Sequence, residues 1–243
     1  MDRSEFSEKI ETSFSSLGLS GLLTKERKEG FFRLFLRLCE ENEKYNLTAV
    51  TAPQEVILLH FADSLMAAHR LPTGARLVDV GCGAGFPSLP LALCRPDLSV
   101  TALDATGKKT AFVRMMAEEL GLANLSVRTF RAEEAGRGEF RDFFDVATAR
   151  AVAPLPILAE LCVPLVRPGG LFLPMKGRNG NEELQAARHA LQALKCKVEF
   201  TDEYTIGTGD GLQGRTVFGI RKSGKTPEAY PRAYARIKAR PLG

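Results

Sequence analysis

The residues of this 243-residue chain that best fit a chemical task are Gly81-Cys82-Gly83-Ala84-Gly85 and Asp104. Glycines at alternate positions let a backbone turn tightly and approach a ligand, because no Cβ stands in the way. An acid about twenty residues after such a turn is placed to accept hydrogen bonds from both hydroxyls of a ribose. The spacing is G-x-G-x-G, with Phe86 where a dinucleotide fingerprint keeps counting toward a later glycine. No Gly-Lys-Ser/Thr follows, so neither a dinucleotide site nor a P-loop is the natural reading.

These residues need a frame to hold them. Leu77, Val78 and Val80 read as a short apolar strand that ends at the glycines, and a helix-compatible apolar run follows from Pro87 to Leu93. Leu98–Leu103 reads as a second strand, and Asp104 stands at its tip. Strand, glycine turn, helix, strand and acid together resemble the S-adenosylmethionine site of Rossmann-like methyltransferases. In that reading Gly81, Gly83, Gly85 and Phe86 form the floor under the methionine and ribose, and Asp104 holds the ribose hydroxyls.

Three further candidates lie downstream and upstream. After a third strand, Arg131-Ala132-Glu133-Glu134 offers a backbone amide and a carboxylate to an adenine edge. After a fourth, Arg150 is one long cation in the nearly apolar run Asp145–Pro154, so it should enter a cleft or pair with an acid. His60 lies beside that cleft in the segment His60-Phe-Ala-Asp63-Ser-Leu65, where a buried, hydrogen-bonded histidine is the plainer reading.

Strands are expected at 76–80, 98–103, 125–130, 144–148 and 168–174, with helices at about 87–94, 107–120, 153–165 and 180–194. Such alternation implies a parallel sheet. Residues 197–204 and 216–221, joined by the glycine-rich Gly207–Gly214, fit a terminal antiparallel hairpin. Residues 2–17, 25–43 and 54–69 have helical periodicity. The expected division is therefore a helical cap over 1–70, a catalytic core over 71–222 and a basic tail over 223–243. The fold class is α/β, Rossmann-like, with a seven-stranded, mostly parallel sheet.

Composition narrows the function. The apolar fraction of 44% supports a large core. Five cysteines without a Cys-x-x-Cys pair argue against zinc or a disulfide framework and fit a reducing cytoplasm. His60, His69 and His189 do not cluster with acids at metal spacing, so no metal site is expected. The N-terminus is charged and lacks a signal peptide's apolar region, and no long apolar run exists to span a membrane. The net charge of +4 is concentrated at the end. Arg221, Lys222, Lys225, Arg232, Arg236, Lys238 and Arg240 face one acid, Glu228, which suggests a polyanionic partner. Of these, Lys225, Arg232, Arg236, Lys238 and Arg240 are the candidate RNA contacts.

A more specific set of motifs occurs in order along the chain: Asn46-Leu-Thr48, His60-x-x-Asp63-Ser-Leu65, Asp79-Val-Gly-x-Gly-x-Gly-Phe-Pro87, Arg150-Ala-Val-Ala-Pro154, Met175-Lys-Gly177 and Tyr230-Pro-Arg with Arg240-Pro-Leu242. The set resembles the bacterial glucose-inhibited division protein B family from about residue 40 to the end. That resemblance implies an enzyme that transfers methyl from S-adenosylmethionine to guanine N7 in the decoding-region loop of 16S rRNA. It also implies cofactor contacts from Gly81, Phe86, Asp104, Ala105, Thr106, Ala132, Glu133 and Arg150. Ser88 and Ala149 depart from the family pattern, where Gly and Ser are expected. The rival readings are a small-molecule or protein methyltransferase and a non-catalytic RNA-binding module.

Overall fold

The computed structural model describes residues 1–242, so Gly243 of the expected tail lies outside it. Its seven strands are β1 (Arg76–Val80), β2 (Ser99–Asp104), β3 (Leu125–Thr129), β4 (Phe144–Arg150), β5 (Val166–Lys176), β6 (Cys196–Ile206) and β7 (Gln213–Lys222). They form one sheet in the order β3-β2-β1-β4-β5-β7-β6. β1 to β5 run parallel to one another, while β7 is antiparallel to both β5 and β6. The chain order reverses between β1 and β4. In open α/β sheets a ligand crevice forms at such a point, outside the carboxyl ends of the strands. All of the glycine loop, Asp104 and Arg150 lie at that end.

The central strands are apolar because both sheet faces are covered. Leu77 joins the core on one face, and its neighbours Val78 and Val80 join the core on the other. The first face is covered by α5 (Ser88–Cys94), α6 (Gly107–Glu119) and the N-terminal helices α1 (Arg3–Ser16) and α2 (Lys25–Tyr45). Phe6, Phe14, Phe31, Phe35 and Phe61 are buried there beside Leu77, Leu89 and Met116, so the cap and the sheet share one core. The second face is covered by α8 (Leu155–Cys162), α10 (Arg188–Ala193) and α11 (Tyr234–Ala239), with α7 (Ala132–Ala135) and α9 (Gly180–Ala186) at its margins.

The expected third cap helix is not regular. It is α3 (Pro53–Glu55), a π-helical stretch over Val56–Ala62 and α4 (Asp63–Leu65). The expected tail is not a free extension. Ile237 of α11 is fully buried against α8, and Arg232 reaches Glu160 on the same helix.

Candidate active site

Two hollows open on the carboxyl ends of the strands, and Gly81 lines both. The smaller, about 240 Å³, is lined by Val80, Asp104, Ala105, Phe130, Ala132 and Glu133, among others. The larger, about 560 Å³, is lined by Gly81–Ala84, Phe86, Arg150, His60, Asp63, Lys176 and Arg215, while Gly85 is buried behind it. A comparable hollow of about 580 Å³ lies between α1 and α2, far from these residues, and its charged rim includes the Arg3–Glu29 pair. It brings no convergent chemistry with it.

The glycine loop is held by its backbone. Gly81 and Cys82 both donate to the Leu103 carbonyl, at 2.7 and 3.1 Å. Gly81 has φ +72°, and a Cβ there would come within 2.6 Å of Val152 Cγ2. Gly85 has φ +88°, and a Cβ there would meet Leu89 at 2.4 Å. Neither position tolerates a side chain. Gly83 differs: nothing but the Gly81 carbonyl, at 4.0 Å, stands near its missing Cβ, so that face is open to the cleft.

Asp104 is buried at the tip of β2. Its Oδ2 accepts from Gly83 N–H at 3.0 Å and its Oδ1 from Thr106 N–H at 2.8 Å. The carboxylate is thus fixed against the glycine loop and still has acceptor capacity on each oxygen. Ala105 and Thr106 continue past it on the exposed side. Glu133 is buried in α7, just beyond the end of β3, with Arg131 at 3.8 Å. Asp104, Ala105, Ala132 and Glu133, expected together from sequence, do line one hollow. An open glycine face beside a fixed carboxylate and an adjoining small pocket fits a nucleoside carrying an amino-acid arm, which is the shape of S-adenosylmethionine.

Beneath the loop, Asp79 is completely buried. Its Oδ2 accepts from the Ser88 N–H at 3.1 Å and from the Ser88 hydroxyl. Burial pushes the Asp79 carboxyl up to about 6, against the Ser88 hydrogen bonds. Ser88, the unexpected residue after Phe-Pro, therefore supplies a hydroxyl that a glycine would lack.

The larger hollow is walled by charges drawn from distant parts of the chain. Arg150, the last residue of β4, donates through Nη1 to Asp63 Oδ2 at 2.9 Å and to the Leu59 carbonyl at 2.6 Å. The π-helical stretch makes that second bond possible. Asp63 N–H reaches back to the Leu58 and His60 carbonyls, bypassing the Leu59 carbonyl that a regular α-turn would have used. Asp63 Oδ1 accepts from the Tyr204 hydroxyl at 2.9 Å, and Oδ2 lies 3.4 Å from Arg215 Nε. Asp63 is 2% exposed, so this is a buried network that ties the cap to β4 and to the terminal hairpin.

His60 stacks on Phe86, with centroids 4.5 Å apart and an interplanar angle of 8°. Its Nε2 is 2.8 Å from Thr48 Oγ1, and Nδ1 is 3.3 Å from Arg150 Nη2. An arginine has only protons to give, so Nδ1 accepts and Nε2–H faces Thr48. Burial, and then the Arg150 charge, push the imidazolium down to about 4. The imidazole is neutral and both nitrogens are engaged. On the far wall Lys176 Nζ pairs with Glu183 Oε2 at 2.7 Å and donates to the Ala153 carbonyl at 2.9 Å. Sequence reasoning missed the roles of Lys176, Glu183, Tyr204 and Arg215, which no local motif joins to Arg150. Among the described residues no group of His, Cys, Asp or Glu is placed to hold a metal ion, and no helix is long and apolar enough to cross a membrane.

The tail bases separate into two kinds. Lys225, Arg236, Lys238 and Arg240 are exposed. Arg232, expected on RNA, is turned inward instead: its guanidinium and its N–H bind Glu160, which is fully buried. Lys222 is also fully buried, against Asp142 and the Val163 and Val166 carbonyls. A buried acid needs a matching cation, and that demand outweighs exposure to a polyanion.

The family model described as rRNA small subunit methyltransferase G matches residues 27–211. The chain belongs to that family. A ribosomal RNA small subunit methyltransferase G from Caldanaerobacter subterraneus subsp. tengcongensis is 41% identical over 231 residues, covering 94% of this chain and 95% of its own. A protein of the same name from Staphylococcus aureus is 40% identical over 222 residues, 90% of this chain and 92% of its own. Among solved structures, the YcgJ protein of Bacillus subtilis superposes with TM-score 0.52 at 16% identity, over 68% of this chain and all of that one. M. jannaschii TYW2 in complex with AdoMet gives 0.53 at 14% identity, over 65% and 74%. At such identities the structures speak for the Rossmann-like fold alone. Membership of the methyltransferase G family rests on the sequence matches.

Proposed function

We propose that this chain is an S-adenosylmethionine-dependent methyltransferase that modifies N7 of a guanine in 16S small-subunit rRNA. The observation that carries the reading is the fixed Asp104 carboxylate facing an open Gly83, at the junction of a nucleoside-sized pocket and a charged cleft. The family assignment supplies the RNA class of the substrate. S-adenosylmethionine, when bound, supplies a methyl group on a positively charged sulfur. Asp104 would hold its ribose, Ala105, Thr106, Ala132 and Glu133 its base side, and Gly81, Gly83, Gly85 and Phe86 the floor. Arg150, held by Asp63, would orient the carboxylate of the amino-acid arm or an RNA phosphate.

Guanine N7 has an in-plane lone pair and carries no proton at neutral pH. No residue has to remove one before transfer. That suits a cleft whose two obvious bases, His60 and Asp63, are already committed to hydrogen bonds. The chain's contribution is alignment and exclusion of water. The exposed bases Lys225, Arg236, Lys238 and Arg240 would contact RNA phosphates. The division into a cap over 1–70, a core over 71–222 and a tail over 223–243 belongs to this reading, as does a cytoplasmic location with the small subunit or its rRNA as partner.

The test is transfer of labelled methyl to naked 16S rRNA, to assembled subunits, to protein and to small acceptors. Mass mapping of the RNA nucleosides should then find N7-methylguanosine. Label in protein or small acceptors alone would overturn the substrate assignment. Cofactor binding without transfer to any of them would favour a regulatory RNA-binding module.

A further inference from the structure

One residue of the basic tail reaches the cofactor pocket. Tyr234, the first residue of α11, lines the same hollow of about 240 Å³ as Asp104, Ala105, Ala132 and Glu133. We propose that Tyr234 is a wall of the adenine subsite, contacting the face of the cofactor's base. The proposal rests on the reading of that hollow as the S-adenosylmethionine pocket.

Three observations support it. Tyr234 is 38% exposed and Phe130, on the same hollow, is 48% exposed. Two open aromatic rings in one pocket beside a ribose-binding acid suit a flat heteroaromatic base, whose stacking is tolerant of small shifts. The tail around Tyr234 is also rigidly placed. Arg141 Nη1 donates to the Tyr230 carbonyl at 2.7 Å, Arg137 Nε to the Pro231 carbonyl at 2.7 Å, and Arg232 grips Glu160. Finally, the tail packs on the element that carries the other adenine-side residues. A Cβ at Gly136, which ends α7, would stand 3.3 Å from Pro231 Cγ. The close approach of α7 and the tail thus fixes Ala132, Glu133 and Tyr234 relative to one another. An anchored support of this kind is what a precise binding wall needs. The inward turn of Arg232 acquires a purpose: it holds the tail so that its neighbour two residues on faces the pocket.

The chain has no tryptophan, so Tyr234→Trp in the full-length protein creates a single reporter. Titration with S-adenosylhomocysteine should quench its emission saturably, adenosine should quench it too, and methionine should not. By calorimetry Tyr234→Ala should weaken S-adenosylhomocysteine binding about tenfold, matching an aromatic contact of roughly 1.4 kcal/mol. Tyr234→Phe keeps the ring and should stay within about twofold of the parent. Heat of binding without quenching in the Trp variant would overturn the proposal, as would unchanged affinity in Tyr234→Ala. Should the Trp variant not fold, the Ala and Phe pair still decides. Equal weakening in both would assign the effect to tail packing and overturn the stacking role. If the parent protein itself gives no heat with S-adenosylhomocysteine, the cofactor reading fails, independently of position 234.

Discussion

The two ends of the proposed cofactor site are built in opposite ways. The adenosine end comes from the tips of adjacent strands, and its acid is fixed by nearby backbone: Gly83 and Thr106 hold Asp104. The transfer end is assembled from four distant segments. His60 and Asp63 come from the cap, Arg150 from β4, Lys176 from β5 and Tyr204 and Arg215 from the hairpin. The first end needs only a correctly folded crossover. The second exists only when the cap has docked. One end should therefore answer to changes in binding, and the other to changes in the fold as a whole.

The largest effect should come from breaking the transfer end. Asp63→Ala leaves the Arg150 and Arg215 guanidiniums without their shared carboxylate in a nearly buried site. Removing one partner of such a network costs about 3–5 kcal/mol. For a chain of this size that corresponds to a fall of roughly 10 °C in Tm. Calorimetric melting within a degree or two of the parent would show that the cap and core are not joined through Asp63.

At the adenosine end the same kind of change should act differently. Asp104→Ala removes the acceptor for two ribose hydroxyls and should weaken S-adenosylmethionine binding by about 1.5–3 kcal/mol, the range for hydrogen bonds to a charged group. Melting should move much less than in Asp63→Ala, because the lost partners are loop amides at the pocket edge. A titration showing parental affinity would take Asp104 out of the site.

This contrast also explains what the sequence made legible. Strand tips and glycine turns are encoded by contiguous residues, so all seven strands and the Gly81–Asp104 geometry could be read in advance. Several strands simply run longer than their apolar cores: β5 extends over Val166–Lys176, beyond the expected 168–174. The transfer end was only half legible. Arg150 was expected either in the cleft or in an ion pair. It is in both, because its partner Asp63 is itself a wall of the cleft. The choice of partner depends on which helix docks where, and no local spacing records that. The regular helix expected over 54–69 fails for a related reason. Val56-Ile-Leu-Leu-His-Phe-Ala62 is apolar on every side, so periodicity could not register the π-helical widening. The basic end misled by composition: Lys222 of β7 and Arg232 of the tail count as surface charge in a sum, but each is consumed by a buried acceptor or acid.

A smaller effect tests the tail's exposed side. Replacing Lys225, Arg236, Lys238 and Arg240 together by Ala should weaken RNA binding and flatten its salt dependence by about 0.7–0.9 in log-log slope per lost contact. Cofactor affinity should not follow, which separates these bases from Tyr234, even though Arg236 and Lys238 share its helix. An unchanged slope would mean that the bases are merely solvated.

The smallest expected effect is the absence of one. Single-turnover methyl transfer at saturating RNA and cofactor should be flat between about pH 7 and pH 9, because no proton leaves N7 before attack. The window lies above both perturbed groups. His60 is lowered to about 4, so its contribution to stability is complete above its ordinary 6.5 and is lost as pH falls through about 4. Asp79 is raised to about 6, so its contribution is present below 3.8 and is already gone above about 6. Neither crosses its midpoint between pH 7 and pH 9. A log-linear rise of slope one with binding intact would mean that the acceptor itself must lose a proton before attack. The acceptor would then be an atom that carries one, and guanine N7 would not be the target.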